Sequence, residues 1–396
     1  MRERTTRPEG KLDIGVYGAR TIPSTYSGYE TFLTTLLPEL ANRGHRVTMY
    51  CRSTDSTDFS SYAGVKRVRS AALPGKSFNT LSHGLLASFR ARGAGHDVVL
   101  VVNVANAVFC AIHKFTGQPV LLNTDGQEWL RGKWGTLARR FFRLSACFAG
   151  TGATGLISDC QAMAAVYERD FGARSSVIPY CVPRIQRPTA NSSLQRYGVE
   201  AHNYYITAGR LNPENNVDAV AVAYSRTELS QPLLVLGAAN YDSPVVARLR
   251  GLSSHDERIR FVGHVDDRRD FLALIGSASG YIHGHSVGGM NPSLVEAMHS
   301  AALVVAFDTP YNRETVGDAG VYFSRSARGE FNLAEVLCKL RELPADEQVR
   351  LRRRAAARAL DRYNAPHVVD AYEQLLQTAA GGPARRSVAI ETRWTS

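Results

Sequence analysis

Residues 281–309 read "YIHGHSVGGMNPSLVEAMHSAALVVAFDT". An apolar run enters a loop of His, Gly and Ser. Two glycines and Asn-Pro then open an amphipathic helical run, and a second apolar run, "LVVAFDT" at 303–309, follows. This is a strand, a loop, a helix and a strand. Continuous apolar strands on either side of a helix call for a parallel sheet covered on both faces.

Working outward, the same alternation fills the chain. In the first half the strand candidates are residues 12–18, 46–52, 65–71, 97–103, 119–125 and 154–159. A long helical pattern covers 29–44; Gly44 supplies its stop, and Pro38 inside it predicts a bend or a break. Residues 177–198, rich in Pro, Ser and Asn and without a period, read as an interdomain linker. Strand candidates resume at 204–210, 232–239, 259–265, 279–285, 303–309 and 320–323. The fold class is therefore α/β, with two doubly wound, Rossmann-like domains in tandem facing across a cleft. The first covers 1–185, with a C-terminal helix at 365–380 packing back on it. The second covers 186–364, and 381–396 forms a disordered polar tail.

The composition narrows the function. The 396 residues are 44% apolar and 21% charged, as in a soluble globular protein, and no apolar run is long enough to span a membrane. The start of the chain reads as a first strand and not as a signal peptide, so a cytosolic location is expected. Six scattered cysteines without C-x-x-C spacing read as buried free thiols. The net charge of +11 calls for an anionic partner. No zinc-finger, RNP-like or helix-turn-helix pattern points to nucleic acid. An anionic membrane surface or phosphorylated substrates remain. The basic run at 350–362 reads as a solvated helix face or a membrane-facing patch.

Ligands of open parallel sheets bind beyond the carboxyl ends of the strands, so the loops there carry the chemistry. Asn291-Pro292 is a helix start whose free amides form an anion site, and Gly288 and Gly289 let backbone approach a ligand. Glu296, just over one turn into the helix, either accepts hydrogen bonds from neighbouring hydroxyls such as those of a ribose, or faces solvent or a lysine. Arg210, at the end of a strand in "ITAGRLNPENNVD" (206–218), is placed for a diphosphate or for a surface salt bridge. Asn215 or Asn216 could cap the next helix. Asp125, in "LLNTDGQEWLRGKWG" (121–135), is a candidate for sugar or reacting hydroxyls, or is a turn or N-cap residue. "YGARTIPSTYSGYETF" (17–32) lacks G-x-G-x-x-G, and the chain has neither a P-loop nor D-x-D. NAD and a metal-bridged diphosphate are therefore disfavoured.

Together these motifs resemble the GT-B glycosyltransferases, in particular retaining family 4, over residues 12 to 375. "GARTIPSTYSGYETF", "NTDGQEWLRGKWG" and "NRETVGDAGVYF" resemble its rhamnosyltransferase-like branch. The resemblance implies transfer of a sugar, L-rhamnose foremost, from a nucleoside diphosphate to a polyprenyl-pyrophosphate-linked saccharide in cell-wall, capsule or O-antigen assembly. It implies no cofactor and no metal, and a cytoplasmic protein peripheral to an anionic membrane surface. It makes Asp125, Arg210 and Glu296 the catalytic set. Donor contacts fall to Arg20, Glu214, Asn216, His285, Ser286, Gly288, Gly289, Asn291, Pro292 and Ser293. Acceptor contacts fall to Tyr26, Gly28, Glu128, Trp129, Arg131 and Lys133. Asn215 stands where many members carry a lysine, Gly288 where the wider family carries a glutamate, and Thr21 and Ser27 where closer relatives carry glycines. Rival classes on the same architecture are a sugar-nucleotide epimerase or phosphorylase and a non-catalytic sugar-nucleotide-binding protein.

Overall fold

The computed structural model describes residues 10–24, 28–52, 60–73, 78–132, 134–182, 191–238 and 244–381. Contacts along the chain divide it into two units. The first holds the chain up to Leu130, Trp134–Pro183 and Ala365 onward, and the second holds Arg131–Lys133 and Arg184–Asn364.

In the first unit, short β-branched runs become strands and the amphipathic runs between them become helices. The order is β1 (Asp13–Tyr17), α1 (Gly28–Asn42), β2 (Arg46–Arg52), β3 (Ser61–Tyr62), β4 (Val65–Ser70), α2 (Phe78–Ala94) and β5 (Val98–Val102). There follow α3 (Ala107–Lys114), β6 (Val120–Asn123), α4 (Thr136–Gly152), β7 (Gly155–Ser158), α5 (Gln161–Phe171) and β8 (Ser176–Val177). The sheet runs β3-β4-β2-β1-β5-β6-β7-β8, and every pairing is parallel except the small β3–β4 hairpin. β5, "VVLVV", is buried at every position, as a strand with both faces covered must be. α1 continues unbroken through Pro38, so the predicted break is absent.

The second unit runs α6 (Asn191–Arg196), β9 (Tyr205–Ala208), α7 (Val217–Ser225), β10 (Leu233–Leu236), α8 (Pro244–His255), β11 (Ile259–Gly263), α9 (Arg268–Ser277) and β12 (Gly280–His283). It continues with α10 (Pro292–His299), β13 (Val304–Phe307), α11 (Pro310–Val316), β14 (Gly320–Phe323), α12 (Leu333–Glu342) and α13 (Ala345–Arg362). Its sheet order is β11-β10-β9-β12-β13-β14, all parallel. Its core gathers Leu211, Val220, Tyr224, Val235, Ile282 and Val305.

The last helix, α14 (Ala365–Gly381), belongs to the first unit. It buries Val368, Val369, Tyr372, Leu375 and Leu376. Tyr372 packs its ring on Phe32 of α1 and accepts a 2.7 Å hydrogen bond from Asn123 at the end of β6.

Several sequence expectations are corrected. The boundary between the units falls inside 177–198, as expected of a linker, but the region also contains the end of β8 and all of α6. Of the cysteines, Cys147 is exposed and Cys338 half-buried. The basic run is not simply a solvated face. Arg352 donates to the carbonyls of Ala278 (2.7 Å) and Ala301 (3.3 Å), and Arg358 to those of Glu314 (2.8 Å) and Thr315 (2.9 Å). The tail at 382–396 lies outside the described residues.

Both sheets reverse strand order beside their first strand, between β1 and β5 and between β9 and β12. At such a point neighbouring loops leave in opposite directions and open a crevice for a ligand. The register β12–β9 pairs Tyr281 with Ile206 and Ile282 with Thr207. The loops bearing Arg210 and His285 therefore emerge side by side.

Candidate functional site

In the second unit the loop after β12 is built to present backbone. Asn291 caps α10; its Oδ1 accepts from the Ser293 amide at 3.1 Å and the Ser293 hydroxyl at 2.8 Å, and Pro292 occupies the first turn. Gly288 has φ +123°, a conformation a side chain rarely tolerates, so it is glycine because the turn demands it. The loop after β9 lies against it. A Cβ on Gly284 would come within 2.8 Å of the Asn215 carbonyl, so the two backbones touch because a glycine is there.

Hydrogen bonds join the loops. The Ser286 amide and hydroxyl both donate to the Glu214 carbonyl, at 3.0 and 2.9 Å. Asn216 donates to the Gly284 carbonyl at 2.8 Å and accepts from Arg325 at 3.1 Å. Asn216 stands at the N-cap of α7 with φ 53°, but its side chain makes no capping bond; it ties the loops together instead. Asn215, at the position the resemblance gives to a lysine, donates to the Arg210 carbonyl at 2.7 Å. It braces the backbone of Arg210. Asn312, at the start of α11, holds the His285 carbonyl at 3.1 Å.

The charges are arranged around this frame. Glu296 is buried and accepts from Arg268 at 2.7 Å. Burial raises its pKa and the Arg268 charge and hydrogen bond pull the other way. Neither solvent nor a lysine is its neighbour; the partner is the first residue of α9. Glu214 is buried, and neither carboxylate oxygen has a hydrogen-bond partner in the structure. A buried carboxylate left so is costly unless a ligand supplies donors. His283 and His285 stack at 4.3 Å with their rings 10° apart. Burial takes His283 down to about 3, and burial, then the charges of His283 and Arg210, take His285 well below its ordinary value. Both rings are neutral at physiological pH.

Arg131, expected on the acceptor side, is counted with this unit, and a Cβ on Gly288 would lie 3.7 Å from its guanidinium.

The first unit carries the remaining candidates. Asp125 follows β6 with φ 54°, its amide bonded to the Asn123 side chain at 3.0 Å. The Tyr180 hydroxyl reaches Asn123 Oδ1 at 3.0 Å and Asp125 Oδ1 at 3.4 Å. Asp125 thus sits in a turn conformation, beside a network of Asn123, Tyr180 and Tyr372. The Arg20 amide donates to Glu30 at 3.0 Å, and Ser24 donates to the same carboxylate at 2.6 Å. Gly28 opens α1. Two acceptor candidates are corrected. Trp129 is buried, edge-on to Phe171 at 5.3 Å and Tyr167 at 6.0 Å, so it is core. Glu128 is buried and accepts from Trp134 Nε1 at 2.7 Å, which gives it a bracing role. Tyr26 and Lys133 lie outside the described residues.

The sequence missed Arg268, Asn312 and Glu30. Asn312 opens the motif "NRETVGDAGVYF", which by itself gives that residue no role. Arg268 gave no signal, since nothing local ties it to a carboxylate on another helix.

Comparison with known proteins agrees with this construction. Residues 27–181 match the "Glycosyl transferase 4-like domain" family model and 202–342 the "Glycosyl transferases group 1" model. Sucrose-phosphate synthase from Thermosynechococcus elongatus superposes with a TM-score of 0.76 at 17% identity, over 92% of this chain and 98% of that one. Anabaena HepE in complex with UDP gives 0.71 at 17% identity, over 92% and 100%. At these identities the likeness concerns the fold. The O-antigen chain mannosyltransferase B of Escherichia coli is 26% identical over 132 residues, 32% of this chain and 34% of that protein. The match thus spans about a third of that relative's length. The chain thus carries two glycosyltransferase domains in tandem and has the GT-B fold; the second sheet lies wholly within its matched domain, and the first extends it by β1, which precedes residue 27.

Proposed function

We propose that the protein is a retaining, metal-independent glycosyltransferase. It moves a hexosyl group from a nucleoside diphosphate, held by the second unit, to a hydroxyl of a lipid-pyrophosphate-linked saccharide at a membrane surface. The observation that carries this reading is the pair of bonded loops at the β9/β12 switch point. They gather Arg210, the capped start of α10 and a buried carboxylate set by Arg268.

Each group has a task in this scheme. Arg210 and the amides opening α10 neutralise the diphosphate, including the charge that develops as it departs. Glu296, fixed by Arg268, accepts from the paired ribose hydroxyls. The unsatisfied carboxylate of Glu214 accepts from hydroxyls of the transferred sugar. The stacked neutral imidazoles keep the pocket free of a further charge while presenting the His285 edge. Asp125 orients the acceptor hydroxyl and takes its proton as the new bond forms. With no carboxylate nucleophile assigned, retention follows from attack on the face the diphosphate leaves, the leaving phosphate assisting.

For the sugar, the motif resemblance supports L-rhamnose from dTDP-rhamnose, and Gly288 in place of a glutamate suits a 6-deoxy sugar. The name of the Escherichia coli relative favours mannose as the second reading. A donor screen against a synthetic lipid-pyrophosphate sugar, with the product anomer read by NMR, tests the whole proposal. Transfer with retention is expected, and an inverted anomer refutes the mechanism. A new sugar nucleotide formed from dTDP-rhamnose alone would make the protein an epimerase.

A further inference from the structure

The first unit has an unusual outer layer. α3 packs against both α2 and α4, so the three form one continuous layer on the sheet. Their sequences, "FNTLSHGLLASFRARGA", "AVFCAIHK" and "TLARRFFRLSACFAGTG", contain no aspartate or glutamate. They expose Arg90, Arg92, Lys114, Arg139, Arg140 and Arg143. The neighbouring helices differ: α1 carries Glu30 and Glu39, α5 Glu168 and Asp170, α14 Asp370 and Glu373.

The same layer carries exposed apolar bulk. On α4, Leu137 is 82% exposed, Leu144 55% and Phe148 48%. Their spacing of seven and four residues puts them on one stripe of the helix, with Arg140 at its edge, Arg143 next to Arg140 and Arg139 at the far edge of the exposed face. α2 adds Leu85, Leu86 and Phe89, and Phe115 at the end of α3 is 89% exposed. Among the described residues, no large apolar side chain is exposed on α1, α5 or α14. Scattered exposed leucines need no explanation, but leucine and phenylalanine interleaved with arginine, with carboxylates absent, do. No helix among the described residues is long and apolar enough to cross a membrane.

We propose that the outer face of α2, α3 and α4 docks on a bilayer containing anionic phospholipid. The arginines meet the headgroup phosphates, and Leu137, Leu144, Phe148 and Phe89 enter the boundary between headgroups and chains. Charge complementarity selects this occupant. A folded protein partner would leave this density of like charge facing a mixed surface, whereas an anionic bilayer offers negative charge at every point together with an apolar layer just beneath. The inference deepens the lipid-linked acceptor of the proposed function and rests on that reading for its purpose.

The test uses the full chain with vesicles of phosphatidylcholine, with and without phosphatidylglycerol, read by co-sedimentation in low and high salt. Binding is expected only with phosphatidylglycerol, and high salt weakens it. The triple change Arg139→Gln, Arg140→Gln, Arg143→Gln should weaken it by roughly a hundredfold. Leu137→Ser with Phe148→Ser should weaken it as well, and both variants should keep the parent melting temperature because these side chains are exposed. Equal binding to phosphatidylcholine alone, no binding to either vesicle, or parent-like binding by both variants overturns the proposal. So does a dimer in sedimentation that Leu137→Ser with Phe148→Ser dissolves, which would assign the face to a second copy. The vesicles hold neither donor nor acceptor, so failure here leaves sugar transfer standing, and failure of transfer leaves this result standing.

Discussion

The two units repeat one architecture and spend their loops differently. At the β9/β12 switch point of the second, two loops are tied by side chains of Asn216 and Ser286 and braced by those of Asn215 and Asn312, each bonded to a backbone carbonyl. At the β6 end of the first, Asp125 is set by side chains of Asn123 and Tyr180, and Asn123 in turn donates to Tyr372 of the last helix. One site is a backbone cradle whose shape is fixed locally; the other is a single carboxylate aimed by long-range packing. A cradle suits a ligand whose diphosphate recurs in every donor, and a lone aimed group suits the reacting hydroxyl of a more variable acceptor.

The largest effect expected from this contrast is on the cradle. Arg210→Ala should lower kcat/KM by about a hundredfold or more, the loss of charged hydrogen bonds to a diphosphate, mostly through donor binding. Steady-state kinetics with varied donor checks it. Asp125→Asn should lower kcat by about a hundredfold while donor affinity, read by calorimetry, stays at the parent value. If donor affinity falls with it, the division of labour between the units is wrong.

The buried histidines predict a loss of stability in acid, shared by both units: burial lowers His83, to about 4, and His113 in the first, and His283 and His285 in the second. His283 has an ordinary value of 6.5 and a folded value of about 3. As pH falls the unfolded chain takes this proton first, so stability is lost from about pH 6.5 downward. By pH 5 the loss is about 2 kcal/mol. Glu296, whose pKa burial raises, offsets part of this with the opposite sign. Urea unfolding at pH 7 and 5 should show a smaller difference between the two pH values for His283→Asn than for the parent. The smallest effect is expected at Arg268. Its removal leaves Glu296 in place but unaimed, raising the donor KM about tenfold with kcat little changed. A parent-like KM would mean Glu296 needs no brace.

Much of this was legible in the sequence because it is local. Runs such as "VVLVV" and "LLVL" have one stable use, and Asn-Pro after two glycines carries its own helix start. What was not legible depends on pairs far apart in the chain. Glu296 is read as a lone acid until α9 brings Arg268 to it. Trp129 looks like a cleft aromatic until α5 supplies Tyr167 and Phe171. The arginines at 352 and 358 look like solvated charge until their helix end carbonyls are found. Asn215 looks like a missing lysine, though its amide does work a lysine cannot do in the same way, being short enough to hold the carbonyl of Arg210.

The position of α14 has a consequence for synthesis. The first unit is made early, yet the helix that covers Phe32 and fixes Asn123 is translated after the whole second unit. Until then the ribosome carries an N-terminal half with an uncovered apolar strip and an Asn123 that lacks its bond to Tyr372. The second unit, contiguous in sequence apart from residues 131–133, can close its core while still tethered. The Tyr372 brace behind Asn123 is thereby the last contact to become possible, after the loops bearing Arg210 and His285 have been made.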